Sequence, residues 1–259
     1  METDKITCEQ MKNLNAMESY KSLKPDILDV TEMIIGCKYA QTPEMMKFYK
    51  SLNPSYWDVS NLIVNCKYAQ TSKMLNYWKS LKPDMHNTSW LITKCKYVQT
   101  QEMVKYYKTL KPFYWYIGEL ITKCKYMQTS EIIEFYKFSK PAYWDVSDLI
   151  TNCKYAQTLE MIEYYKTLKP SIWNVSDLIA NCKYVQTPEM LVFYKALKPA
   201  FRDVSNLIIK CEYTQTSEML KYYKSLNPSR WDVNWLIKNS SISESPKMLE
   251  FCKGLLKNK

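Results

Sequence analysis

The sequence predicts an all-α fold, an α-solenoid of about nine stacked 29-residue helix-turn-helix repeats, and three observations predict it. Cysteines stand at 8, 37, 66, 95, 124, 153, 182 and 211, each 29 residues from the last. Eight of the eleven prolines, at 25, 54, 83, 112, 141, 170, 199 and 228, keep the same interval. Two residue types in one register, with no insertion, define an internal repeat. Within a repeat the apolar residues return at helical spacing, twice, with a turn between.

The unit at 144–172, WDVSDLITNCKYAQTLEMIEYYKTLKPSI, shows each element in order. Asp145 is the expected N-cap of a first helix, with Asp148 in capping-box position. Leu149, Ile150, Cys153 and Ala156 form its apolar stripe. A two-residue turn follows inside the hexapeptide CKYAQT, and Thr158 caps the second helix. Pro43 and Pro188 follow the equivalent threonines, at the favoured first helical position. Glu160 lies in the first turn, where the helix dipole favours a carboxylate. Met161, Ile162, Tyr165 and Leu168 make the second stripe. Pro170 ends the helix, and about five loop residues lead to the next unit. One such hairpin cannot bury enough apolar surface to offset its ordering, so neighbours must stack.

The whole chain reads as a single repeat domain, 1–259. An N-terminal capping repeat spans 1–28, regular repeats 29–231, and a C-terminal capping repeat 232–259. Asp4 replaces the core leucine at one end and Ser240 the cysteine at the other.

Composition narrows the function. Three glycines (Gly36, Gly118, Gly254) leave no phosphate-cradling loop, and a single histidine, His86, leaves no histidine-based metal or nucleophile site. His86 reads as a substituted loop tryptophan. No apolar run is long enough to span a membrane, and the polar start METDKITCEQ is no secretory signal. The expected setting is intracellular, cytoplasmic or nuclear, with reduced thiols. The net charge of +10 favours acidic partners.

The segment CKYAQTLEMIEYYKTLKP at 153–170 resembles the core of the ankyrin repeat, A-x-x-x-G-H-L-E-I-V-K-x-L-L-x-x-G-A, without gaps. Leu159, Glu160, Met161, Ile162 and Glu163 lie over L-E-I-V-K, Tyr164 and Tyr165 over the leucines, and Cys153 over the small buried alanine. Gln157 and Thr158 replace Gly-His, and the repeat is short of the family's length by part of its loop. The chain is similar to the lysine- and tyrosine-rich arrays of large DNA viruses and single-celled eukaryotes. That resemblance implies a protein-binding scaffold without catalytic activity.

The repeated cysteines read as small buried hydrophobes. Equivalent positions of packed helices lie about 10 Å apart, whereas a disulfide needs Cα atoms within about 7 Å. No C-x-x-C pair exists for zinc. Cys252, at a tyrosine position, is expected to be more exposed. The tyrosines at 49, 107, 136, 165, 194 and 223 read as packing between repeats. Lysines form ladders at 38, 67, 96, 125, 154 and 183, and at 50, 79, 108, 137, 166, 195 and 224. Glutamates at 44, 102, 131, 160, 189 and 218 run parallel to them and dilute the field.

Recognition is expected where the repetition breaks down. In the loops these positions are Tyr56 and Trp57, Tyr114 and Trp115, Tyr143 and Trp144, Trp173, and Phe201 with Arg202. On the first helices they are Lys94 and Lys123, just before the cysteines. The expected function is a non-catalytic, monomeric protein-protein interaction scaffold with no cofactor, metal, membrane or small-molecule substrate. The alternative is an RNA-binding helical-repeat protein that uses its lysine ladders.

Overall fold

Threonine opens the second helix of a repeat. The Thr42, Thr71, Thr100, Thr129, Thr158, Thr187 and Thr216 hydroxyls each accept the backbone N–H three residues on. Pro43 and Pro188 fill the first helical position where predicted.

The structure, a computed structural model, describes residues 7–12, 14–244, 246, 249–250 and 253–254. The expectations for Asp4 and Cys252 lie outside the described residues. Those residues form sixteen α-helices and no strand, an all-α helical repeat, in two compact units, 1–127 and 128–259. In the first unit the first helices of the repeats are Ile27–Gly36, Tyr56–Asn65, Met85–Lys94 and Tyr114–Lys123. The second helices are Leu14–Ser22, Pro43–Ser51, Ser72–Ser80 and Gln101–Thr109. In the second unit the first helices are Tyr143–Asn152, Ile172–Asn181, Phe201–Lys210 and Arg230–Asn239. The second helices there are Ser130–Phe138, Leu159–Thr167, Pro188–Ala196 and Ser217–Ser225. Within each unit, successive first helices pack side by side, and the first three of each unit pack on the second helix that follows them.

The core is the predicted pair of stripes, with one addition. Leu149, Ile150, Cys153, Ala156, Met161, Ile162 and Tyr165 are buried; Leu168 is half-buried, and Val146 joins the core. All six repeated tyrosines are buried. Burial pushes the Tyr49, Tyr107 and Tyr194 hydroxyls above the ordinary tyrosine range, eased by Thr31, Ser89 and Ser176 on the preceding helix.

The first helix starts earlier than the sequence suggested. It begins at Tyr143, with Ala142 at the cap, so Asp145 is the third helical residue and not the N-cap. The physical reason is a capping box built upstream. The Asp58 amide donates to Ser55 Oγ at 3.3 Å, and the Ser55 amide returns a bond to Asp58 Oδ2 at 2.8 Å. Ser229 and Asp232 repeat it. Asp148 instead accepts from Asn152 one turn on, at 2.8 Å.

Ala142 interrupts this pattern, and Asp145 Oδ2 is buried without a partner. Burial raises that carboxyl above the ordinary aspartate range, with bonds from the backbone opposing. Ala142→Ser is therefore expected to stabilise by about 1 kcal/mol. The sign with pH follows from linkage. A raised folded pKa makes ionisation cost stability; the cost is absent in acid and sets in as pH rises through the ordinary aspartate value. Urea unfolding should show a larger gain for the variant at neutral pH than in acid.

The second helix ends at Thr167, three residues before Pro170, and the reversal is made by Lys169 in the left-handed region, φ 52°. Lys24, Asn53, Lys82, Lys111, Lys140, Lys198 and Asn227 do the same. The residue before proline, where sterics disfavour the right-handed helical region, is held left-handed because the next helix must start within four residues.

The hexapeptide is not a helix end with a two-residue turn. Cys153 caps the first helix, its N–H bonding to the Leu149 carbonyl at 2.9 Å, and Lys154–Ala156 form one 3-10 turn. Gln157 then turns back, its Nε2 donating to the Ile150 carbonyl at 3.1 Å. Gln41, Gln70, Gln99, Gln186 and Gln215 make the same bond at 3.0 to 3.2 Å. The next repeat's thiol reaches the same carbonyl: Cys182 Sγ lies 3.8 Å from the Ile150 oxygen and 3.7 Å from Gln157 Nε2. Cys66, Cys95 and Cys211 approach Ile34, Ile63 and Ile179 likewise, at 3.8 to 3.9 Å. The buried cysteine is thus one partner in a clasp between repeats, beyond its small volume. Gln157→Ala strips the carbonyl of its stronger donor and should lower stability by about 1 kcal/mol, read as a lower urea midpoint.

One cysteine pair departs from the expectation of separate thiols. Cys8 and Cys37 form a disulfide, with Cα atoms 5.2 Å apart. Cys8 sits in a turn ahead of the 3-10 segment Gln10–Lys12 and not at an α-helix end, so helix spacing does not hold it away. Ser240, at the cysteine position of the last repeat, is buried and donates to the Leu236 carbonyl at 2.8 Å.

Candidate interaction surface

The aromatic positions predicted for the loops lie on helices. Tyr56, Tyr114, Tyr143 and Phe201 are the first residues of their helices, and Trp57, Trp115, Trp144, Trp173 and Arg202 the second or equivalent ones. The early helix start places them there. In this first turn a side chain at the second position points out to water, so the indoles are rigidly mounted yet exposed: Trp57 by 40%, Trp115 by 49%, Trp144 by 54% and Trp173 by 66%. Tyr56, Tyr114, Tyr143 and Phe201 are half-buried, and Lys94, Lys123 and Arg202 are exposed. Lys123 pairs with Glu119 at 2.6 Å, and the Arg202 guanidinium lies 5.8 Å from the Phe201 ring centroid.

In the first unit these side chains join into one row. Trp57 lies 5.8 Å from His86, His86 lies 5.7 Å from Tyr116, and Tyr116 stacks on Trp115 at 3.6 Å, all between ring centroids. Trp90 meets Trp57 edge-on at 5.9 Å. His86 does occupy the tryptophan position, on a helix, and links the rings on either side. The sequence reading does not single out Trp90 and Tyr116; Tyr116 is the one aromatic where the other repeats carry Asp or Asn, and Trp90 shares with Trp235 a position that is otherwise Glu, Asp or Asn, and those exceptions are the available signal.

In the second unit, Trp144 and Trp173 line an open groove of about 540 Å³ between the helices Tyr143–Asn152 and Ile172–Asn181. Asp145, Asp148 and Asp177 line it, with Thr151 and Asn181. Trp144 also meets Tyr143 edge-on at 4.9 Å.

The lysine ladders separate into two kinds. Lysines of the second helix lie over an aromatic ring of the next repeat: Lys50 over Tyr77, Lys79 over Tyr106, Lys137 over Tyr164, Lys166 over Phe193 and Lys195 over Tyr222, at 4.6 to 5.7 Å. Lys79, Lys137 and Lys195 also pair with Glu102, Glu160 and Glu218 of that next repeat. The paired glutamates are held below the ordinary carboxylate range by those lysines. These cations fasten repeat to repeat. Lys38, Lys67, Lys96, Lys125, Lys154 and Lys183, on the 3-10 turns, are exposed.

Among the described residues no group of three or more His, Cys, Asp or Glu side chains could hold a metal ion, and no helix is long and apolar enough to cross a membrane. No family model, curated protein or solved structure matches the chain.

Proposed function

We propose that this chain is a non-catalytic binding scaffold of ankyrin-like repeats that holds a protein partner on the first turns of its first helices. One observation carries the reading: a single structural position, the second residue of the first helix in both units, presents exposed Trp57, Trp115, Trp144, Trp173 and Trp231 and changes to His86 and Arg202 in between. Large exposed aromatics that are already ordered lose little entropy on binding and dominate affinity at interfaces. Carboxylates that might suggest chemistry have structural work instead, such as the capping by Asp58 and Asp232 and the pairing of Glu102, Glu160 and Glu218.

The test is affinity capture from the cell of origin with the wild-type chain and with Trp57→Ala and Trp115→Ala. The expected result is a protein retained by wild type and lost from the variants, with thermal unfolding within about 0.5 kcal/mol of wild type, as for exposed sites. Variants that lose stability but keep their partner would return these indoles to a packing role.

The exposed lysines of the 3-10 turns favour a second reading, RNA binding along that ladder. Binding of single-stranded RNA that weakens steeply with salt would support it; no binding at low salt removes it.

A further inference from the structure

The groove between Tyr143–Asn152 and Ile172–Asn181 has a charge opposite to that of the chain. The two helices carry Asp145, Asp148 and Asp177 and no lysine or arginine, in a protein of net charge +10. None of the three carboxylates has an ion-pair partner among the described residues. Asp148 accepts only from Asn152 of its own helix, and Asp145 Oδ2 is buried with no partner at all. In the repeats with Ser55 and Ser229 the equivalent oxygen takes a hydroxyl at 2.6 and 2.5 Å. Here, therefore, carboxylates without an ion pair stand beside two tryptophans that are more than half exposed; the nearest cation in the lining, Lys210 of the next helix, shares a separate small hollow with Asp177 and makes no ion pair with it.

That pairing of features selects an occupant. A carboxylate or phosphate would meet three like charges. A purely apolar segment would cover the carboxylates without compensating them, at a desolvation cost. A cation on an apolar stem satisfies both: its charge meets the aspartates, and its stem and charge lie against the indole faces, a contact stabilised by cation–π attraction. A guanidinium suits it further, because it stacks on aromatic planes while donating to carboxylates.

We infer that this groove, resting on the protein-binding reading above, receives an arginine or lysine side chain from a basic segment of the partner, sandwiched between Trp144 and Trp173 and held by Asp148 and Asp177. The overall positive charge favours acidic surfaces elsewhere on the chain; this groove is where a basic one docks.

The full chain is titrated with a fluorescein-labelled peptide of alternating arginine and glycine, and with its glutamate counterpart, at moderate salt. The arginine peptide should bind saturably with quenching of tryptophan emission, and the glutamate peptide should not quench the groove indoles. Trp173→Ala and Asp177→Asn should each weaken the arginine peptide by about tenfold, the loss of one cation–π or charge contact. Trp231→Ala, equally exposed but beside Arg230, should leave it unchanged. Ala142→Ser, which gives Asp145 an internal partner, should weaken the peptide while raising stability, a combination that simple unfolding does not produce. Absence of arginine-peptide binding, or equal binding by wild type, Trp173→Ala and Asp177→Asn, overturns the inference. The two readings fail separately. A captured protein partner that Trp173→Ala and Asp177→Asn retain at full affinity overturns the groove and leaves the scaffold standing, whereas a chain that captures no protein overturns both.

Discussion

Trp78→Ala is expected to lower stability by about 4 to 5 kcal/mol, through a large cavity and two stranded polar groups. Trp78 stands where every other repeat but the last carries tyrosine and is fully buried. Its Nε1–H donates to Ser60 Oγ at 2.7 Å and lies 3.1 Å from Asn87 Oδ1, and the Ser60 hydroxyl in turn donates to Asn87 Oδ1 at 2.8 Å. The larger ring and the asparagine belong together: this repeat has Asn87 where Asp58 and Asp232 form capping boxes in theirs, and its oxygen serves the indole and the serine. Tyr106 of the next repeat meets the ring edge-on at 5.9 Å. Trp78→Phe keeps most of the volume and removes the donor, so it should cost about 1 to 3 kcal/mol for the buried acceptors left behind. Urea unfolding of the two variants separates packing from hydrogen bonding. An alanine variant within about 1 kcal/mol of wild type would refute the argument, since cavities of this size are never that cheap.

Reduction of the Cys8–Cys37 disulfide should be next in size. The bond joins residues 29 apart, and closing a loop of that length removes about 3 to 4 kcal/mol of unfolded-chain entropy. Where each repeat packs on its neighbours, the loss is local. Amide exchange in Leu14–Ser22 and Ile27–Gly36 should speed up with reductant or in Cys8→Ala, while Arg230–Asn239 stays protected as before. Two free thiols at these positions after oxidation, seen by mass spectrometry, would contradict the pairing.

How much of this was legible in the sequence follows a physical line. The period, the threonine caps, the proline at the first helical position and both core stripes depend on residues close in the chain, and each was readable. The start of the first helix was misplaced because aspartate is favoured both at the cap and at the third position, so Asp145 alone does not decide between them. Ser55, Ser171 and Ser229, three residues earlier, were the discriminating signal. That single shift moved five tryptophans from loop to helix and changed the character of the candidate surface. The end of the second helix before Pro170 is legible, but the left-handed turn at Lys169 is not, because it is set by the tight connection to the next helix. The cysteine–glutamine clasp joins residues 25 and 32 apart in adjacent repeats, and no pattern within one repeat encodes it. The groove lined by Trp144 and Trp173 is of the same kind: its tryptophans stand at a variable position, but Asp145 and Asp148 read as caps and Asp177 carries no signal of its own, so its sign of charge emerges only when two helices lie side by side.

The clasp has a consequence for inheritance. Its donors and acceptor recur in nearly every repeat, so the junction between one copy and its successor is chemically the same wherever it falls. Unequal crossing-over that gains or loses one 29-residue block would recreate an identical junction at the splice. Copy number is then free to vary between descendants, while each copy's first-turn residues diverge separately. A lineage carrying such a gene could change which first-turn side chains it presents by reshuffling whole blocks, with no new packing problem to solve.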